Sequence, residues 1–162
     1  MGRLALGLGS NLGDRSAYLT QAVSALDTMA EVRVTDISAL YETAPWGSVA
    51  QPDFLNQCVL LETGRTPQDM LERCLCIETN LGRVRTDRWG PRTLDMDLIA
   101  WEGPDITTET LTLPHPRAHI RAFVLIPLLQ IAPNMRLHGE TVRTHASRLS
   151  VQERNAVRRL QL

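Results

Sequence analysis

Two carboxylates, Asp95 and Asp97, stand two residues apart at the end of Arg88–Asp97, a run that also holds a tryptophan and two arginines around a Gly-Pro corner. Side chains alternate across a strand, so both carboxylates would face one side while Leu94 and Met96 face the other. Two like charges held this close raise each other's pKa, and a divalent cation between them removes that cost. The pattern therefore predicts a metal-phosphate site.

Arginines crowd the dozen residues before Asp95, at positions Arg83, Arg85, Arg88 and Arg92. A guanidinium donates two parallel hydrogen bonds to a phosphate, so the cluster predicts a polyphosphate ligand that arrives with its metal ions. Two plainer interpretations stay open. The acidic pair could be a solvated strand edge, and any single arginine could be a solvated surface charge. Trp89 could anchor the loop in the core or cover a bound ligand.

A flat heterocycle is the second ligand that the residue types suggest. Phe54 and Asn56 share one strand face, and with Phe123 they could supply two aromatic planes and an amide. Ordinary core packing is the alternative for each phenylalanine. His115 lies between two prolines with Arg121 nearby, so it is either a surface residue or a phosphate donor.

Two further features are weaker. The spacing of Gly7, Gly9 and Gly13 differs from a dinucleotide fingerprint and predicts a tight strand-to-helix turn, and no Walker A motif is present. Glu78 is expected on the flank of an apolar helix face. It would be a buried structural partner for a loop arginine or, on a bolder interpretation, a third carboxylate near the nucleotide.

The composition predicts one domain spanning residues 1–162, with 43% hydrophobic residues and a net charge of −1. That charge provides no field for nucleic acid or a membrane, so we expect neither as a partner. We also expect a monomer. All 17 basic side chains are arginine, which excludes a lysine-dependent phosphate loop. The three cysteines lack C-x-x-C spacing and are expected to be reduced core residues. No apolar run approaches a membrane span and no leader is evident, which predicts a soluble cytoplasmic protein.

The elements that would position these residues follow the order β-α-β-β-α-β. Apolar periodicity predicts strands at 4–8, 32–43, 54–63 and 93–101, and helices that follow caps at Asp14 and Thr66, with a bulge near Asp36. This order is typical of a ferredoxin-like α+β sandwich, with two helices on one face of an antiparallel sheet. The other face would be free for ligands. Residues 102–162 would form a C-terminal extension with a short helix at 127–132 and a polar tail.

The motifs together resemble the 6-hydroxymethyl-7,8-dihydropterin pyrophosphokinase family of folate biosynthesis. The resemblance rests on the segments Gly9–Gly13, Tyr41–Pro45, Gln51–Asn56, Arg83–Arg85, Arg88–Asp97 and Leu113–Pro116, in this order. The W-G-P-R-T-x-D-x-D string is specific to that family, and the match covers nearly the whole chain. Leu75, Pro116 and Trp46 depart from residues common in relatives, which bears on affinity more than on the reaction.

The resemblance implies transfer of pyrophosphate from ATP to the pterin, with AMP as the second product. It implies that Asp95 and Asp97 hold two Mg²⁺ ions and act with Arg83 and Arg92 as the catalytic set. The implied ATP contacts are His115 and Arg121, and Arg85, Arg88 and Trp89 would belong to a closing loop. The implied pterin contacts are Thr43, Pro45, Phe54, Asn56 and Phe123.

Two other functions fit parts of the pattern. A ferredoxin-like sheet with aromatics and arginines could bind single-stranded RNA, although that would need a broad basic face. A magnesium-dependent phosphohydrolase could use the same carboxylates to activate water. The products separate these hypotheses, because only the kinase needs pterin to release AMP.

Overall fold

A computed structural model of the chain describes residues 1–45, 50–83 and 93–161. Its first half contains β1 (Gly2–Ser10), α1 (Arg15–Asp27), β2 (Val32–Ile37), β3 (Tyr41–Thr43), β4 (Phe54–Thr63), α2 (Pro67–Asn80) and β5 (Asp95–Trp101). Next come β6 (Ile106–Thr107), β7 (Thr112–Leu113), a 3₁₀ turn (Ala118–Ile120) and α3 (Ala122–Ile131). The chain continues with β8 (Arg136–Leu137), β9 (Glu140–Thr141), α4 (Val142–Ser147), α5 (Val151–Asn155) and β10 (Arg158–Arg159).

The main sheet is antiparallel and runs in the order β10-β3-β4-β1-β5, with β2 also paired to β4. Within it, β1, β2, β4 and β5 with α1 and α2 form the β-α-β-β-α-β unit predicted from the sequence. The α+β class and the ferredoxin-like arrangement are therefore confirmed. Two small hairpins, β6–β7 and β8–β9, lie outside the main sheet.

Both predicted helix starts are present, and each is capped by the expected side chain. Asp14 accepts a hydrogen bond from the Ala17 N–H at 3.2 Å, and Thr66 Oγ1 accepts one from the Asp69 N–H at 3.1 Å. Each cap satisfies one of the backbone donors that a helix leaves unpaired in its first turn. Pro67 follows Thr66 at the first helical position, where its missing N–H costs nothing.

The sheet separates two hydrophobic cores. On one face α1 and α2 pack over β1, β4 and β5, through residues such as Leu6, Leu26 and Met70. On the other face α3 packs Leu125 and Leu128 over part of β1, β4 and β5. The expectation that this second face is free for ligands is therefore correct only in part, because α3 covers the region beyond the carboxylate pair.

The long strand predicted at 32–43 is two strands. A register shift between Val34 and Asp36 confirms the bulge. The chain then leaves the ladder at Ser38, whose N–H donates to the Cys58 carbonyl and whose Oγ accepts from the Cys58 N–H, both at 2.9 Å. Because the serine hydroxyl replaces a backbone partner, the strand can break here without leaving Cys58 unsatisfied.

The C-terminal region differs most from the expectation. The helix predicted at 127–132 is α3, which begins five residues earlier and contains Pro127 in its interior. Burial of its apolar residues in the second core offsets the backbone bond that a proline removes. The polar tail, for which no elements were predicted, forms β8, β9, α4, α5 and β10.

The expectation that all three cysteines are core residues is corrected in part. Cys58 and Cys74 are buried and free as predicted, and burial raises the pKa of each thiol to about 12, but Cys76 is exposed on α2. Its side chain lies on the side of the helix that faces away from the core.

In the described part of the chain, no helix is long and apolar enough to cross a bilayer.

Candidate active site

The floor of the site is a pair of glycines in β1 that face the carboxylates in β5. Gly7 is opposite Asp97 in the ladder, and Gly9 is opposite Asp95. Added methyl groups would be tight there, because a Cβ at Gly9 would lie 3.3 Å from Asn56 Oδ1. The two glycines therefore leave a recess in the sheet. The predicted strand-to-helix turn is present and contains Gly13 at φ +71°, but β1 runs to Ser10, so Gly9 lies in the strand and not in the turn.

A cavity of about 240 Å³ opens above this floor. It brings together seven residues that the sequence singled out: Thr43, Phe54, Asn56, Asp95, Asp97, Arg121 and Phe123. Sequence reasoning did not identify Gly7, Gly9, Gln57, Cys58, Ile99, Arg117 and Ile120 as lining residues. Strand alternation could have found some of them. Gly7 and Gly9 occupy the face opposite Leu6 and Leu8, and Ile99 continues the face of Asp95 and Asp97.

Three predicted residues are not among the described lining residues: Pro45, Arg83 and His115. Arg83 and His115 each bond a residue of the lining, namely Asp95 and Ile99. Four others, Arg85, Arg88, Trp89 and Arg92, fall in the segment 84–92, outside the described residues. The predicted loop roles of those four therefore stay predictions.

The acidic end of the cavity is fixed by a network behind Asp95. Arg83 Nη1 donates to Asp95 Oδ1 at 2.9 Å and to Glu78 Oε2 at 2.8 Å. Glu78 also accepts the Met96 N–H at 2.7 Å, so it holds the outer edge of β5 next to the carboxylate pair. The side chains of Glu78 and Arg83 are 3% and 9% exposed. Glu78 is therefore the buried partner of a loop arginine, as the plainer interpretation expected.

The carboxylate pair itself offers two hard oxygen donors on one sheet face. Asp95 and Asp97 both line the cavity, whereas the intervening Met96 is buried in the core under α2. Among the described residues, no group of three histidine, cysteine or acidic side chains converges on one point that could hold a metal ion. A cation bound by this pair would thus take further oxygens from a ligand or from water, as Mg²⁺ commonly does with phosphates.

The apolar end of the cavity carries the two phenylalanines and an amide. Asn56 Nδ2 donates to Thr43 Oγ1 at 2.6 Å, which fixes the amide plane and places Oδ1 on the Gly9 side. Phe54 precedes Asn56 by two residues in β4, and Phe123 enters from the first turn of α3. The Arg121 guanidinium lies 5.5 Å from the centre of the Phe123 ring. An oriented amide that shares a cavity with two aromatic rings is suited to a planar, hydrogen-bonding ligand.

Positive charge reaches the cavity from the segment that precedes α3. Arg121 and Arg117 both line it. Burial lowers the pKa of the Arg121 guanidinium, while the negative charge of Asp97 favours its charged form. His115 is anchored by its N–H to the Ile99 carbonyl at 2.7 Å. Its ring Nδ1 accepts the Arg117 N–H at 3.1 Å, so the neutral ring carries its proton on Nε2, a donor suited to phosphate oxygens.

The pKa of His115 predicts a loss of stability in mild acid. Burial, followed by the charges of Arg121 and Arg117, lowers this pKa from 6.5 to about 4. Between these values the unfolded chain binds a proton that the folded chain does not, so the free energy of unfolding falls as the pH drops from about 6.5 to about 4. We expect His115→Asn to flatten this slope, measured by urea unfolding at several pH values. An unchanged slope would contradict the assigned environment.

Comparison with known proteins decides the family. The family model for 7,8-dihydro-6-hydroxymethylpterin-pyrophosphokinase (HPPK) matches residues 5–133. The chain belongs to the HPPK family. It is 50% identical over 149 residues to 2-amino-4-hydroxy-6-hydroxymethyldihydropteridine pyrophosphokinase of Methylorubrum extorquens, covering 92% of this chain and 94% of that protein. It is 45% identical over 139 residues to the protein of the same name from Bacillus subtilis, covering 86% and 83% of the two chains.

The fold of this HPPK chain also matches solved structures of bifunctional proteins. The chain aligns over 99% of its length with Plasmodium falciparum HPPK-DHPS bound to pteroate, with a TM-score of 0.75 and 14% identity. An HPPK-DHPS complex with substrates gives a TM-score of 0.76 at 13% identity. The chain spans about half the length of these fused proteins, namely 46% of each. Family membership confirms the sequence resemblance and makes the chain a pyrophosphokinase, a transferase of folate biosynthesis.

Proposed function

We propose that this HPPK chain transfers pyrophosphate from ATP to 6-hydroxymethyl-7,8-dihydropterin, giving AMP and the pterin diphosphate. The pterin hydroxyl would give its proton to Asp97, and its oxygen would bond to the β-phosphorus while the bond from that phosphorus to the α,β-bridging oxygen breaks, so that AMP leaves. One observation carries the proposal. A single cavity holds the paired carboxylates Asp95 and Asp97 at one end and the ring-binding residues Phe54, Asn56 and Phe123 at the other.

Asp95 and Asp97 would hold two Mg²⁺ ions. The donor set fits, because both residues present carboxylate oxygens to the same cavity and phosphate oxygens could complete the coordination. When bound, these ions would neutralise the triphosphate and stabilise the entering and leaving oxygens together. Arg83 Nη1 donates a hydrogen bond that holds the Asp95 carboxylate in position. The other guanidinium nitrogens of Arg83 would be donors for the triphosphate.

The pterin would occupy the apolar end. Phe54 and Phe123 would contact its two faces, and Asn56 Oδ1 would accept from its polar edge because Thr43 already holds the amide nitrogen. Gly9 would let the ring approach the sheet closely, since the backbone there has no side chain. Pro45, just after β3, would border this end from the segment that follows Thr43.

ATP would extend from the carboxylates towards the segment before α3. Arg121 lines the cavity, and His115 lies beside it with Nε2 as a donor. Both would contact ATP, and Arg92 would meet the triphosphate. Arg85, Arg88 and Trp89 would come from a loop that closes over both substrates. Catalysis would then consist mainly of positioning and charge neutralisation, as is usual in phosphoryl transfer.

We also propose that residues 1–162 act as one catalytic domain and as a monomer. Two cores on opposite faces of a single sheet support one folding unit. The proposed substrates are small molecules, and the near-neutral charge of the chain does not favour nucleic acid or a membrane surface. Cytoplasmic location belongs to the same proposal, since ATP and folate intermediates are used there.

The product pattern tests this function against hydrolysis. With ATP and Mg²⁺, we expect AMP to form in a one-to-one ratio with the pterin diphosphate, and only when the hydroxymethyl pterin is present. Chromatographic quantitation of AMP, ADP and pterin diphosphate gives the result directly. Release of AMP or ADP at an equal rate without pterin would contradict the proposal and favour a phosphohydrolase.

A further inference from the structure

The C-terminal strand β10 lies against the strand that carries one wall of the cavity. Arg158 pairs with Glu42 and Arg159 with Tyr41, both in β3, and the Leu160 N–H donates to the Leu40 carbonyl at 2.8 Å. Leu160 also packs against the core under α1 and α2. The match to the family model ends at residue 133, so it does not include this strand.

The strand that β10 covers is short and close to the site. β3 has three residues, and its last, Thr43, pairs with Phe54 at the end of the β3–β4 ladder. Thr43 is also the residue that fixes the Asn56 amide, through the 2.6 Å hydrogen bond. Without β10, β3 would be a three-residue edge strand, which frays readily because few backbone bonds hold it. Fraying of β3 would release Thr43 and, with it, the orientation of Asn56.

Arg15 and Arg158 bond the residues on either side of the connection between β3 and β4, namely Glu42 and Asp53. Arg158 Nη2 bonds Asp53 Oδ2 at 2.9 Å, and Asp53 immediately precedes Phe54. From within the fold, Arg15 Nη1 donates to Glu42 Oε2 at 3.2 Å and to the Asp53 carbonyl at 3.1 Å. The Glu42 carboxylate is therefore bonded by Arg15 and the Asp53 carboxylate by Arg158, and Arg15 also bonds the Asp53 backbone. β10 thus contacts both the strand before this connection and the residue that ends it.

We propose that β10 is a positioning element for the pterin end of the site. By pairing with β3 and bonding Asp53, it holds Thr43 and Phe54 in the geometry that a planar ring requires. Three strands, β3, β4 and β1, separate it from β5 and the carboxylate pair, so we expect its effect to fall on pterin affinity and not on ATP affinity. This inference rests on the proposed function, which assigns that end of the cavity to the pterin.

Paired arginines in β10 provide a matched test. Arg158 and Arg159 are neighbours on opposite sides of one strand, so Arg158→Ala and Arg159→Ala remove the same charge from the same element. Arg158→Lys keeps a cation near Asp53. A chain that ends at Ala156 removes β10 and Leu160 entirely. Thermal unfolding of each variant shows whether it is folded at the assay temperature.

Titration calorimetry measures the two ligands separately. Pterin is titrated into the protein with Mg²⁺ and a non-hydrolysable ATP analogue, and the analogue is titrated alone with Mg²⁺. Because the ion pair is solvent-exposed, Arg158→Ala should weaken pterin binding roughly threefold. The chain that ends at Ala156 also loses the strand pairing and should weaken it about tenfold. Arg158→Lys and Arg159→Ala should bind pterin like the wild type, and analogue binding should stay within about twofold throughout.

Wild-type pterin affinity in Arg158→Ala, or an equal loss of affinity for both ligands, would overturn the role of β10. A merely structural contribution would lower the melting temperature without separating the two affinities. If the truncated chain unfolds, the three point variants decide the question. Failure of the wild-type chain itself to bind pterin would instead overturn the proposed function, and the inference with it.

Discussion

Replacing Asp97 with alanine is expected to lower kcat for pterin-dependent AMP formation by about 10³-fold, the effect of losing a preorganised charge-stabilising group. Asp97 lines the cavity opposite Gly7 and is one of two carboxylates proposed to hold Mg²⁺. Without it, the triphosphate would lose the charge neutralisation on which the displacement depends. Steady-state assays at saturating Mg²⁺ measure the loss, and melting temperatures show that the variant is folded.

Asp105→Ala is the matched control for that experiment. Asp105 is an exposed acid just beyond β5, so its removal changes the net charge equally without touching the cavity. We expect its kcat to equal that of the wild type. Turnover by Asp97→Ala within tenfold of the wild type would contradict both the metal role of Asp97 and its proposed role as acceptor of the hydroxyl proton.

Replacing Glu78 with alanine is expected to cost about 3 kcal/mol of unfolding free energy, as is typical when one partner of a buried ion pair is removed. Glu78 accepts from Arg83 and from the Met96 N–H while its side chain is only 3% exposed. The variant would leave a buried backbone donor unsatisfied and would weaken the charge balance of Arg83. Urea unfolding monitored by tryptophan fluorescence gives the free energy directly.

Glu72→Ala on the same helix provides the comparison. Glu72 is exposed on α2, so its replacement should change the unfolding free energy by less than about 0.5 kcal/mol. A cost below about 1 kcal/mol for Glu78→Ala would show that the network behind Asp95 does not stabilise the fold, since surface pairs fall in that range.

Local patterns were sufficient to predict most of the fold and much of the site. β4 has the predicted bounds, Phe54–Thr63, and both caps, Asp14 and Thr66, make the expected hydrogen bonds. Strand alternation alone predicted that Asp95 and Asp97 share one face with the core on the other. Such features depend on a few consecutive residues, which is why sequence reasoning can reach them.

Features that depend on distant partners were not predictable in the same way. The strand break at Ser38 requires Cys58 in a neighbouring strand, and Gln130 in α3 reinforces it by accepting the Ala39 N–H at 2.9 Å. The interior position of Pro127 depends on a second core whose other half comes from the sheet. The same holds for β10, because two polar arginines form a strand only when β3 offers them an edge.

The most direct test of the proposed function is a crystal structure with Mg²⁺, a non-hydrolysable ATP analogue and the hydroxymethyl pterin. The proposal predicts that Asp95 and Asp97 coordinate Mg²⁺ at about 2.1 Å, with phosphate oxygens in the same coordination spheres. It also predicts a pterin ring between Phe54 and Phe123, with its polar edge on Asn56. Both carboxylates facing solvent, far from any ligand oxygen, would contradict the proposed mechanism.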